Sequence, residues 1–247
     1  MKQFVKKDYN AANQNWAVGQ TSDGVMYFGN NQCLLEFDGS MWRSIKLPQN
    51  KIVRSLMIDK NDRIYVGSFQ EFGFFEKNAF GNLQYTSLSA ELKDYKMKND
   101  EIWNIIELNG TVIFQSFTSY FIYDGKSTKG LRCKYTFLFF NIYKNRIYTH
   151  TNQNGFSQLT PLIPEVSPVL SAELKSPVIS VLNHDANHAL LVTKADGLFL
   201  FDGINISRFI TDADDELRRS DVNRATVSKD GVILIGTILN GVIAIDK

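Results

Sequence analysis

The sequence predicts an all-β fold, a β-propeller of four-stranded antiparallel blades, on three observations. A strand motif rich in β-branched and aromatic residues recurs every 35–48 residues. Turn pairs of the Asp-Gly and Asn-Gly kind separate the apolar runs. The stretch from Ile52 to Phe75 reads as three strands without the 3.6-residue apolar spacing of a surface helix, and helix content is expected to be very low.

The recurring motif is the second strand of each unit. Its copies begin at Val25 (VMYFGN), Arg63 (RIYVGS), Thr111 (TVIFQS), Arg146 (RIYTHT), Ala189 (ALLVTK) and Val232 (VILIGT). A first strand precedes each: Trp16 to Gly19, Ile52 to Ile58, Ile102 to Leu108, Thr136 to Tyr143, Val178 to Leu182 and Val222 to Val227. A third strand often ends in Asp-Gly, as at Asp38-Gly39, Asp124-Gly125 and Asp202-Gly203, and a short fourth comes after it, as in Trp42 to Leu47 and Ile206 to Ile210. In the fourth unit Gly155 to Leu159 is a third strand, and Pro161, Pro164 and Pro168 demote the segment after it to an edge strand or loop. LKDYKMK, between Ser89 and Asn99, is a candidate helical turn inside a long insertion. One four-stranded sheet has two apolar faces that it cannot bury alone, and blades set around an axis cover both.

Six blades are counted within one domain spanning 1–247. The last repeat stops at its third strand, Val242 to Ile245, and Phe4-Val5-Lys6-Lys7 has no blade of its own. The economical expectation is that this N-terminal strand closes the last blade.

A net charge of +1 supplies no field to attract nucleic acid or an acidic membrane. Cys33 and Cys133 fall in different repeats and read as unpaired packing residues. The opening residues lack the apolar core of a signal peptide, and no run is long enough to span a bilayer. The chain is therefore cytoplasmic if complete as given, or is preceded by an export signal that lies upstream.

Several phrases resemble the two-component-regulator propeller repeats of Bacteroidetes sensory regulators: Gly29 to Ile45, Ile52 to Glu76, the terminal VILIGTILNGVIAIDK, and the opening Asp8-Tyr9-Asn10 through Asn15-Trp16. The resemblance implies a periplasmic or otherwise extracytoplasmic sensor domain that is not an enzyme. In such regulators the propeller is joined to a second propeller, a triple-tyrosine module, a membrane span and a cytoplasmic output, and is associated with glycan sensing and transcription regulation. This chain carries none of those further segments, so it corresponds at most to an input piece whose expected partners are an oligosaccharide and a second propeller or signalling module.

For catalysis the residues offer little, and no cofactor or metal is expected. His184 and His188 lie at a strand-to-strand turn without a zincin glutamate. Asp212 to Glu216 is acidic but lacks the ligand spacing of a calcium loop, so a solvated loop is expected there. Asn109-Gly110-Thr111 is explained better as a hairpin turn than as a glycosylation acceptor. The loops between second and third strands mix amides, hydroxyls and aromatic rings, a combination that suits sugars. The candidate ligand-binding residues are Asn31, Arg54, Gln70, Trp103, Asn104, Ser119, His150, Asn152, Asn223 and Arg224. Two rivals stand beside carbohydrate sensing: a protein-interaction scaffold of the WD-repeat kind, and a propeller glycan hydrolase or lyase, for which Glu71, Glu101 and Asp196 are the nearby carboxylates.

Overall fold

The computed structural model describes residues 4–228 and 230–246. The fold is a six-bladed β-propeller, nearly all-β, built from antiparallel sheets. The chain forms two compact units, Met1–Arg132 and Cys133–Lys247, of three blades each.

In the first unit, blade 1 is β1 (Asn15–Gln20), β2 (Met26–Asn30), β3 (Leu34–Phe37) and β4 (Trp42–Ile45). Blade 2 is β5 (Ser55–Ile58), β6 (Ile64–Ser68), β7 (Glu71–Lys77) and β8 (Leu83–Ser87). Blade 3 is β9 (Asn104–Leu108), β10 (Thr111–Gln115), β11 (Ser119–Tyr123) and β12 (Thr128–Arg132). Tyr27, Leu34, Val53, Val66 and Phe75 join blades 1 and 2, while Tyr65, Phe72, Phe114 and Phe121 join blades 2 and 3.

In the second unit, blade 4 is β13 (Asn141–Tyr143), β14 (Arg146–Thr151), β15 (Gly155–Thr160) and β16 (Glu165–Pro168). Blade 5 is β17 (Val178–Asn183), β18 (Ala189–Thr193), β19 (Leu198–Phe201) and β20 (Ile206–Phe209). Blade 6 has three strands among the described residues, β21 (Val222–Val227), β22 (Ile233–Thr237) and β23 (Val242–Ile245). Tyr148, Phe156, Leu191 and Phe201 join blades 4 and 5; Leu190, Leu198, Ile233 and Ile235 join blades 5 and 6. Both cysteines are free thiols, and burial pushes that of Cys133 up to about 12.

The recurring Asp-Gly has a local cause. Asp38 accepts the N–H groups of Ser40 (2.9 Å) and Met41 (2.7 Å), and Gly39 takes φ +93°, a conformation that only glycine adopts without strain. Asp124 and Asp202 repeat the bonding, with Gly125 at φ +90° and Gly203 at φ +110°. These donors hold the carboxylates below their ordinary value, down to about 2 at Asp202, where the Asn205 side-chain amide donates as well.

Three expectations are corrected. Phe4 to Lys7, expected as the outer strand of the last blade, form no strand. Phe4 lies against Phe37 (4.9 Å) and Trp42 (5.4 Å) of blade 1, and α1 (Lys6–Tyr9) begins two residues later. The Asp8 carboxylate accepts the Val5 N–H at 2.7 Å, so ring contacts and a local carboxylate satisfy what strand pairing would have satisfied. The acidic stretch expected as a solvated loop folds into α2 (Asp214–Arg219), because Leu217 buries against the core of blades 5 and 6. Within it the buried Asp214 accepts from Arg208 (3.0 Å) and Arg218 (3.2 Å). In the insertion the helical turn lies at Ser89–Glu91 and not in LKDYKMK, whose Tyr95 instead seats edge-on against Phe121 at 5.0 Å.

Candidate functional site

Strand register gives every blade one equivalent position at the head of its first strand. Ala17 lies opposite Gly29, Ser55 opposite Gly67 and Asn104 opposite Gln115, so the residues just before them, Trp16, Arg54 and Trp103, correspond. The Arg54 and Trp103 N–H groups donate to the carbonyls of Gly67 (2.8 Å) and Gln115 (2.9 Å), while Trp16 occupies a bulge. In the second unit the same position holds Leu138, whose N–H donates to the His150 carbonyl at 2.8 Å, and the bulged residues Ile179 and Asn223.

In the first unit these side chains meet. The Arg54 guanidinium carbon lies 4.2 Å from the Trp16 ring centroid and 5.2 Å from that of Trp103. Its Nε donates to Glu101 Oε1 at 2.5 Å, and its Nη1 to Asn31 Oδ1 at 3.3 Å. Asn31 Oδ1 also accepts the Trp16 indole N–H at 2.6 Å. Trp16 and Trp103 are edge-to-face at 5.8 Å, and Phe117 stacks on Trp103 at 5.8 Å and 23°. The Arg54 and Glu101 side chains are only 17% and 23% exposed, whereas Trp16 and Phe117 remain 38% and 36% exposed. Phe69, also exposed, pairs its backbone with Glu101. The result is an aromatic shelf around a cation that a carboxylate already neutralises. Such a surface offers ring faces and amide groups, and its own ion pair leaves no net charge to complement.

Of the sequence candidates, Asn31, Arg54 and Trp103 are brought together here. Asn104 is bonded to Gln115 (3.2 Å) across its own hairpin. Gln70 turns its amide to the Lys98 carbonyl, and the fully buried Ser119 gives its hydroxyl to Asp100, so both pin the insertion to the blades. In the second unit His150 and Asn152 line one cavity, Asn223 is exposed, and the Arg224 guanidinium lies 3.4 Å from the Phe139 ring centroid. Trp16, Phe117 and the ion-pair role of Glu101 escaped sequence reasoning. Register is the signal that finds Trp16, but the bulge displaces it by one residue, so spacing alone hides it.

No family model matches the chain, and no curated protein matches it. Among solved structures, the chain is similar to one described as the extracellular domain of a hybrid two component system, BT4673, from B. thetaiotaomicron. The identity is 16% and the TM-score 0.69, over 94% of this chain and 32% of that one. The chain thus spans about a third of that extracellular domain's length. It is also similar to streptogramin B lyase (12% identity, TM-score 0.68, 94% and 83% covered) and to the WD40 propeller domain of Doa1 (12%, 0.68, 94% and 79%). At these identities the likeness shows the propeller fold alone.

Proposed function

We propose that residues 1–247 form one sensor propeller, the non-enzymatic input module of a bacterial signal-transduction regulator, and that it binds a neutral oligosaccharide on the Trp16–Arg54–Trp103–Phe117 shelf. The observation that carries this is the partly buried Arg54–Glu101 pair held between two indoles. Exposed aromatic faces stack on the apolar faces of pyranose rings, and Asn31, whose Oδ1 serves Trp16 and Arg54 and one of whose N–H groups goes to Gln14, keeps one amide N–H for a hydroxyl. With Arg54 already matched by Glu101, an acidic sugar would have to displace a carboxylate at 2.5 Å. The likeness to the extracellular domain of a two component system supports an extracytoplasmic location, and the partner of this reading is a second propeller or signalling module. No helix among the described residues is long and apolar enough to cross a membrane.

The test is a thermal-shift and calorimetric screen of the purified chain against neutral gluco-, xylo-, manno- and galacto-oligosaccharides and against oligouronates. A reproducible rise with one neutral class, lost at least tenfold in Trp103→Ala, is the expected result. No response to any glycan overturns the carbohydrate reading. Product formation on chromatography moves the chain to the lyase or hydrolase class that the streptogramin lyase likeness keeps in view.

A further inference from the structure

His150 stands where blades 1, 2 and 6 have glycine, blade 3 has Gln115 and blade 5 has Thr193. By register it corresponds to Gly29, Gly67 and Gly236 on β2, β6 and β22. At Gly29 an added Cβ would lie 2.9 Å from the Val53 carbonyl oxygen, and at Gly67 it would collide with Ser55 and Ile102. At these two junctions the following blade bonds directly to the one before; Thr193 in blade 5 also permits the bond, from Val222 N–H to the Lys194 carbonyl at 3.3 Å. Val53 N–H donates to the Asn30 carbonyl, and Ile102 N–H to the Ser68 carbonyl, both at 3.0 Å.

Between blades 4 and 5 the same donor, Val178 N–H, does not reach the corresponding carbonyl of Thr151. It donates instead to His150 Nδ1 at 3.3 Å. The imidazole has taken the carbonyl's place as acceptor, and it lines a cavity of ≈ 410 Å³ walled by Phe137, Leu138 and Pro177. The volume is that of a small-molecule site.

The polar groups left to a ligand are defined. Because Nδ1 accepts, the ring proton is on Nε2, and among the described residues no hydrogen-bond partner meets Nε2. Burial lowers the His150 pKa, which favours the neutral ring, and the Val178 N–H donated to Nδ1 sets its tautomer. Asn152 spends its Oδ1 on the Thr136 N–H at 3.1 Å, which leaves its amide N–H groups. Both side chains therefore offer donors beside apolar walls.

We propose that this cleft is a second binding site, for a small uncharged planar ring compound whose carbonyl oxygen accepts from His150 Nε2. The inference is independent of the glycan reading, since it uses none of the shelf residues.

The test uses the full chain, with benzamide as probe, and long-range ¹H–¹⁵N spectra of the histidine side chains. The free protein should show the Nε2–H tautomer of His150 at neutral pH, and benzamide should shift Nε2 saturably. His150→Gly, which places there the residue of blades 1, 2 and 6, should stay folded by circular dichroism and lose the probe. His150→Phe, which keeps the bulk without the donor, should weaken it at least tenfold. An Nδ1–H tautomer, an Nε2 resonance unmoved up to the solubility limit, or equal affinity in either variant would overturn the proposal.

Discussion

At the junction beside Gly67 two blades touch backbone to backbone; at the junction beside His150 an imidazole stands between them. The register is the same, and so are the strands, yet the first junction is solid and the second holds a cavity. The difference teaches that a ring nitrogen can take over the inter-blade carbonyl's acceptor role, where glycine, or Thr193 at the next junction, leaves the blades bonded backbone to backbone. The solid seam has its own use. Ile102 seats against Gly67 and thereby fixes Trp103, the next residue, on the shelf.

The largest expected effect breaks the solid seam. Gly67→Val should cost about 3 kcal/mol through overpacking against Ser55 and Ile102, read by urea unfolding, and should abolish glycan binding with it. A variant as stable as the parent would show that the close approach is not required.

Next comes Glu101→Gln, which leaves a mostly buried guanidinium without its carboxylate. At this partial exposure the loss should be about 1–2 kcal/mol. The same change should turn the shelf toward oligouronates, and unchanged preference for neutral sugars would separate the ion pair from recognition. Trp103→Ala removes one indole from the Trp16–Phe117 ladder and should cost only about 1 kcal/mol in stability, while its effect on glycan affinity is much larger.

The smallest effect is a slope. His150 in the folded chain has a pKa below the unfolded value of 6.5, so between those two values the unfolded state binds more protons. Its contribution to stability is complete above about pH 6.5 and declines as pH falls toward the folded value. Subtracting the stability-against-pH curve of His150→Gly cancels the carboxylates and isolates this contribution; a flat difference would contradict the burial of the imidazole.

The blades were legible because turn chemistry and strand alternation agree: Asp38, Asp124 and Asp202 each cap their own turn, whatever surrounds them. The three prolines of blade 4 likewise marked β16 as an edge strand. Phe4 misled because one aromatic residue beside two lysines fits a strand or a ring contact equally, and only the proximity of Phe37 and Trp42 decides. At the shelf, Arg54, Trp103 and Asn31 could be picked by strand position, but the bulge at Trp16 and the pairing of Glu101 across blades depend on contacts distant in sequence. Ser119 and Gln70 looked like loop polar groups available to a ligand, and the buried Asp100 and the insertion backbone engage them.

The position held by Trp16, Arg54, Trp103, Leu138, Ile179 and Asn223 shares one address in all six repeats, and its chemistry differs from one repeat to the next. A lineage built on this chain could exchange aromatic, cationic, aliphatic and amide groups at that address one repeat at a time, retuning what it recognises.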